Sequence, residues 1–310
     1  MQSLLSEITQ QVSTVVLGKK VEIKLSLACL LAQGHILIED LPGMGKTTLA
    51  QVLAKTLGLS YQRTQFTSDM LPADVVGISI FNVKENNFEL HKGPIFNQVV
   101  LADEINRASP KTQSALLEAM EEGQVSIDGI THQLPQPFFV IATQNPLFHA
   151  GTYPLPESQL DRFMMRISLG FPSIDAEKEI LKSRNHRELL QQLTPCITPE
   201  QLKNIQLMIT DVHVSESILE YVIALCHISR QENSQMNPLS PRAGKALLAA
   251  ARSWAFMDNR DYVIPEDVRA VFPSVSDHRL ESATSISSSN QGKLSTQILQ
   301  QVDPTNPFPA

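Results

Sequence analysis

No uninterrupted apolar run of about 18 residues, the length a membrane span requires, occurs anywhere in the sequence. The amino terminus, MQSLLSEITQQVSTVVLGKK, lacks a basic start followed by an apolar block, so no signal peptide is expected. Cysteine is scarce: Cys29, Cys196 and Cys226 stand far apart, match no metal-ligand spacing and, being three, cannot all pair with one another. That usage suits a reducing, intracellular compartment. Positive charge is not in excess either. The formal net charge of −7 gives no general attraction to nucleic acid or anionic lipid, so nucleic acid is not expected as a partner. The eight histidines do not cluster at metal-ligand spacing, and His132, His213 and His227 read as structural residues. The expectation is a soluble, cytoplasmic protein.

What is present is enough apolar material for a buried interior, 42% of 310 residues, and a length that suits two units and a tail. From Gln2 to Gln33 the apolar residues recur at helical spacing with a break at Leu17 and Gly18, which predicts two helices. Short runs rich in Ile, Val, Leu or Phe then alternate with helical segments: His35 to Glu39, Ser60 to Gln65, Gln98 to Ala102, Phe138 to Ala142 and Met164 to Leu169. Such runs suit strands buried on both faces of a parallel sheet. Two further segments read as inserted hairpins: Ile78 to His91, turning at Asn86-Asn87, and Gln124 to Gln133, turning at Asp128-Gly129. After Phe171-Pro172 only helices are expected, with capping signals at Thr198-Pro199-Gln201, Ser215 and Ser240-Pro241. The expected division is an α/β unit over 1–171, a helical lid over 172–280, and a tail over 281–310 with a Ser-rich linker and one short helix.

The chemistry concentrates at strand ends. The strand HILIE leads into DLPGMGKTTLAQVLAKTLG, a glycine-rich turn followed by a helix, the setting of a Walker A loop. Pro42, Gly43, Met44, Gly45, Lys46, Thr47 and Thr48 form the expected nucleotide-binding segment. The glycines let backbone N–H groups approach phosphate, and the helix beginning near Lys46 adds its positive end. Lys46 would reach the β- and γ-phosphates of ATP and Thr47 would ligate Mg²⁺. Asp40 occupies the place of the motif's first glycine. In QVVLADEINRA an apolar strand ends in an acidic pair: Asp103 is expected to hold the metal, and Glu104 to orient and deprotonate the attacking water.

Asn145, ending the strand PFFVIATQNP, is placed to hydrogen-bond the γ-phosphate or the water; the alternative is an Asn-Pro turn. Arg162, just before the last strand, sits where ring ATPases project an arginine toward the next subunit's nucleotide, with Arg166 as a substitute and a local salt bridge as the plain alternative. Arg242, in the first turn behind Ser240-Pro241, suits a second phosphate sensor that couples to the lid. Arg107 could touch nucleotide or a neighbour.

The segments EDLPGMGKTT, LADEINRASPKTQSALLEAMEEGQV, ATQNP, GTYPLPESQLDRF and SPRA together resemble the MoxR family of AAA+ ATPases, over about Gly18 to Leu280. Asp at the position of Asp40 is familiar in that family; Phe148 departs from an acidic residue that many relatives carry. The resemblance implies a five-stranded parallel sheet with a helical lid, two added hairpins and a hexameric ring. It also implies a chaperone-like ATPase that remodels a client, often one with a von Willebrand factor A domain, or helps insert a metal or cofactor. Two rivals are a DNA-associated motor and a nucleotide-gated scaffold with little turnover.

Overall fold

The computed structural model describes residues 2–145, 152–182, 186–231, 236–281 and 293–308; Phe148 and the Ser-rich linker fall outside them. Two helices, α1 (Gln2–Val15) and α2 (Lys20–Leu31), lead into strand β1 (Ile36–Glu39) and helix α3 (Lys46–Thr56). Strand β2 (Tyr61–Gln65) and helix α4 (Pro72–Val76) precede the first hairpin, β3 (Gly77–Asn82) and β4 (Asn87–Lys92). Next come β5 (Val99–Asp103), α5 (Pro110–Glu122), the second hairpin, β6 (Gln124–Ile127) and β7 (Ile130–Gln133), then β8 (Phe139–Gln144), α6 (Glu157–Leu160) and β9 (Met165–Ile167).

Five strands pair in the order β2-β5-β8-β1-β9, all parallel, and each hairpin forms its own two-stranded sheet. Alternate side chains leave opposite faces of a strand. Accordingly Ile36, Ile38, Leu101 and Ile141 enter one core with α1 to α3, while Leu37, Val100, Val140 and Ala142 enter another with α4 and α5. β5 is buried along its whole length, as a central parallel strand should be. β2 departs from the expected two-sided burial: Gln62, Arg63 and Gln65 are exposed because it is an edge strand, with β5 on one side only. The second hairpin turns at Asp128-Gly129, both at positive φ (51° and 79°). In the first, Asn82 pairs with Asn87, so the turn spans 83–86 and ends at Asn86 (φ 52°), one residue earlier than the sequence suggests.

Beyond β9 the described elements are helices: α7 (Ile174–Lys182), α8 (His186–Gln192), α9 (Pro199–Thr210), α10 (Glu216–Ile228), α11 (Pro241–Met257), α12 (Pro265–Leu280) and α13 (Lys293–Gln301). Thr198, Ser215 and Ser240 each accept a backbone N–H from the first turn of α9, α10 and α11. These helices share the core of α1 to α3, so the lid lies against that face of the sheet rather than standing free. Gln206 of α9 donates to the Leu30 carbonyl (3.0 Å), and Lys24 of α2 pairs with Asp258 at 2.5 Å while lying over Trp254. The last helix, α13, is docked too: Ile298 and Val302 are buried, and the Ser295 N–H donates to Asp277. Among the described residues no helix is long and apolar enough to cross a membrane, and no cluster of three or more metal-binding side chains occurs.

Helix α12 covers the exposed flank of β9, and its last turn carries His278, buried, with Nε2 facing the Phe163 carbonyl at 3.1 Å. Burial, and then the Arg279 and Arg166 guanidiniums, hold its pKa well below the usual histidine value. The unfolded chain therefore binds a proton that the folded chain refuses once the pH drops below about 6.5, the ordinary value. Folding stability should fall between pH 7 and pH 5 with a slope of up to about 1.4 kcal/mol per pH unit from this residue. Denaturant titrations at the two pH values check this, and His278→Gln should reduce the difference, leaving the part due to buried His35, whose pKa burial lowers to about 4.

Candidate functional site

Every parallel strand points the same way, so residues after a strand collect at one edge of the sheet and residues before it at the other. At the carboxyl edge, β1 ends in the loop 40–45 and α3 begins at Lys46. Gly43 and Gly45 have positive φ (84° and 88°), and a Cβ on either would meet nothing within 4 Å. The glycine turn is therefore an open cradle whose floor is backbone. Asp40 explains its own departure from the glycine motif: its carboxylate accepts from the Gly170 N–H (2.6 Å), the Ser168 hydroxyl (3.1 Å) and the Leu41 N–H (2.9 Å). A glycine could not staple the start of the loop to the segment after β9. The Lys46 ammonium donates to the Asp40 carbonyl. Burial lowers its pKa, opposed by Asp40, Asp103, Glu104 and Glu39, so the lysine sits among the acids of the site.

Two strands away, Asp103 ends β5 nearly buried. Its Oδ1 accepts from the Thr143 hydroxyl at 2.5 Å, and its Oδ2 from Arg63 Nε and Nη2 at 3.1 and 2.6 Å. Glu104 adopts left-handed backbone geometry (φ 55°, ψ 49°), rare for a side chain of this kind. Its N–H donates to Thr143 Oγ1 (2.9 Å), and its Oε2 accepts from Gln65 Nε2 (3.0 Å) and Arg107 Nη1 (2.9 Å). Buried Gln113 of α5 donates to the carbonyls of Ile105, Ala108 and Tyr153 and fixes the loop after the acidic pair. Asn145 comes directly after β8, between β1 and β5, where the register sets Gln144 opposite Glu39. Lys46, Thr47, Asp103, Glu104 and Asn145 thus share one edge.

The donor set fits Mg²⁺ with a triphosphate: hard oxygens from Thr47 and Asp103, an open backbone cradle, and a lysine for the phosphates. Thr143, Gln65 and Arg63 are not singled out by the sequence. Each carries a readable signal, a polar side chain on a strand of the sheet, but only the fold shows that they converge on Asp103 and Glu104.

The arginines lie at the other edge. Arg162 precedes β9 and pairs with Glu121 at the end of α5 (3.0 Å); Arg242, at the start of α11, pairs with the same carboxylate. Both line a cleft of about 380 Å³ together with Gly34 and His35, which precede β1. Arg166 is elsewhere: its side chain, 13% exposed, is bidentate to Glu281 (2.6 and 2.7 Å) and bonds Glu39 (3.1 Å), leaving it no free face for a neighbour. Arg107 is on the nucleotide edge, paired with Glu104 at 2.9 Å.

A strand, a glycine turn and a lysine-headed helix beside a strand-ending Asp-Glu pair define a P-loop ATPase with a helical lid. The family model described as "ATPase family associated with various cellular activities (AAA)" matches residues 35–165, and that of the AAA lid domain matches residues 229–302. The crystal structure of a Cytophaga hutchinsonii protein assigned as an ATPase superposes with a TM-score of 0.87 at 38% identity, covering 97% of this chain and 95% of that one. The sequence is 47% identical to the uncharacterized Bacillus subtilis protein YeaC over 277 residues, 89% of this chain and 87% of that protein. It is 39% identical to Chaperone MoxR1 of Mycobacterium tuberculosis over 279 residues, 87% of this chain and 74% of that protein. The chain belongs to the MoxR family of AAA+ ATPases and is an ATP hydrolase.

Glu104 accepts on Oε2 alone, from Gln65 and Arg107, whereas both carboxylate oxygens of Asp103 carry side-chain donors; a second oxygen without a side-chain donor suits a base for water. Glu104→Gln should keep Mg·ATP affinity within a few-fold and lower turnover by about 10²- to 10⁴-fold. Nucleotide binding by fluorescence and phosphate release on the same sample measure the two quantities.

Proposed function

We propose that subunits assemble head to tail into a closed ring, hexameric as the family resemblance implies, in which each ATP site is completed by the next subunit. The observation that carries this reading is the separation of the parts. Lys46, Asp103, Glu104 and Asn145 come after their strands, or sit at their ends, at the carboxyl edge; Arg162 and Arg242 sit beside the residues that open β1. β1 alone spans four residues, about 13 Å at 3.3 Å per residue, so neither arginine reaches the loop after β1 of its own chain. Stacked head to tail, the amino edge of one subunit faces the carboxyl edge of the next.

In that arrangement Pro42 to Thr48 wrap the phosphates, Lys46 bonds the β- and γ-phosphates, and Thr47 with Asp103 holds Mg²⁺. When bound there, the metal would neutralise charge on the transferring group. Glu104 takes the proton of the attacking water, Asn145 bonds the γ-phosphate, Arg162 stabilises its developing charge from the adjoining subunit, and Arg242 reads its presence and moves the lid. The units 1–171 and 172–280 are the two bodies that move, α13 travelling with the second.

The work performed is remodelling of a client protein, in keeping with the chaperone name of the Mycobacterium relative; a client with a von Willebrand factor A domain is the family's implied partner. The first hairpin supports a polypeptide client: Ile80, Phe81, Val83 and Phe88 are exposed, and Phe81 meets Phe88 edge to face at 5.2 Å. An exposed apolar ridge of this kind marks an interaction surface.

ATPase activity per subunit should rise steeply over the concentration range in which sedimentation shows ring formation, and Arg162→Ala should lower turnover by about 10³- to 10⁵-fold. Activity proportional to protein throughout, or a fully active Arg162→Ala, would overturn action in trans. Replacing residues 79–90 by a short glycine linker should spare basal hydrolysis and abolish client remodelling; unchanged remodelling would remove the hairpin from the mechanism.

A further inference from the structure

Arg162 and Arg242 come from different units of the fold, one from the segment before β9 and the other from the first turn of α11, yet they converge on a single side chain. Glu121 Oε2 pairs with Arg162 Nη2 at 3.0 Å, and Glu121 Oε1 accepts from Arg242 Nη2. One carboxylate oxygen serves each guanidinium. The pattern continues inward: Arg242 Nη1 lies 4.0 Å from Asp161 Oδ2, and Asp161 Oδ1 accepts from Arg279 Nε at 2.6 Å. The result is a ladder of alternating charge, Arg162, Glu121, Arg242, Asp161, Arg279. Its inner end is rigid, because Arg279 is almost fully buried and also donates to the carbonyls of Asp161, Phe163 and Met164.

The outer end is not. The side chains of Arg162, Glu121 and Arg242 are 29, 34 and 50% exposed, at the rim of the cleft. Each outer guanidinium spends one terminal nitrogen on Glu121. Donors remain on both for a phosphate group arriving from outside. Lys245 and Arg279 line the same cleft, so without Glu121 four cations would share it with Asp161 as the one remaining carboxylate, Arg162, Arg242 and Lys245 on long side chains free to choose other rotamers.

We propose that Glu121 is a positioning residue for the two arginines: it fixes their guanidiniums side by side and offsets their repulsion, so that they meet the adjoining subunit's triphosphate as a preorganised pair. The assignment rests on the trans-acting role of Arg162. It agrees with the general rule that donors aimed before the reaction cost no reorganisation during it, and that a misplacement of about 1 Å can cost 10²-fold.

The test uses the full-length chain at ring-forming concentration. Glu121→Gln, which keeps the shape and removes the charge, should lower kcat about 10- to 100-fold. Mg·ATP affinity and ring assembly by sedimentation should stay as in the wild type. In single-turnover measurements on an Arg162→Ala background the same change should cost little further, because the group it positions is gone. Wild-type kcat in Glu121→Gln beside an inactive Arg162→Ala would overturn the positioning role and leave the trans reading standing. A fully active Arg162→Ala would sink that reading itself. An equal loss in both backgrounds, or rings that fail to form with Glu121→Gln, would assign the carboxylate to general structure or to the interface and overturn the proposal.

Discussion

The polarity of a parallel sheet governs this molecule. With all five strands pointing one way, a residue's side of the molecule is fixed by whether it comes after a strand or before one. The phosphate loop, the acidic pair and Asn145 lie at the ends of β1, β5 and β8; Gly34, His35 and Arg162 precede β1 and β9. No rotamer change carries a side chain across that thickness, so Arg162 and Arg242 stay on the side away from the chain's own phosphate loop, while Arg63 and Arg107 stand beside the acidic pair. On the proposed trans reading, dependence on a neighbour is a consequence of topology before it is a matter of regulation.

The same edges set the electrostatics. Asp103 and Glu104 stand next to each other at the end of a buried strand, where two carboxylates repel; Arg63, Gln65, Arg107 and Lys46 surround them. Arg166 does related work at β9. It joins Glu39, the last residue before the phosphate loop, to Glu281, the residue after α12. Glu39 in turn accepts from Gln144, the residue before Asn145. One short path of ionic and hydrogen bonds therefore connects β8, the start of the glycine loop and the end of α12. Removing one partner of a largely buried pair leaves an uncompensated charge and costs about 3 to 5 kcal/mol. A finger role for Arg166 would require breaking that link.

Much of this was legible in the residues. Continuous apolar runs gave the central strands, because both faces of a parallel sheet are covered, and Asp128-Gly129 specified its turn through two positive φ angles. The helix starts at Thr198, Ser215 and Ser240 were readable because a capping side chain acts on its own first turn. What escaped was set by distance in the chain. Glu121 reads as one acid among several on a solvated helix end, and nothing local says that Arg162 and Arg242 share it. Likewise β2 carries Arg63 and Gln65 outward because of its place at the sheet edge, a property of strand order that a five-residue run does not encode. Sequence spacing exposes chemistry confined to a strand and the turn after it; convergence across the sheet requires the fold.

Glu104 shows why local rules fail where the chemistry is. A glutamate in the left-handed region costs about 1 to 2 kcal/mol relative to ordinary backbone, and glycine would relieve it. The chain instead keeps the carboxylate and constrains it from three sides, with the Thr143 hydroxyl on its N–H and Gln65 and Arg107 on its Oε2. Thr143 also donates to Asp103, so one buried hydroxyl sets the spacing between the two acids. The left-handed turn is what lets two adjacent residues point to different tasks: in a continued strand Asp103 and Glu104 would face opposite sides of the sheet, and only one of them could meet the nucleotide. Strain at this position is the geometric condition for having both acids in the same site.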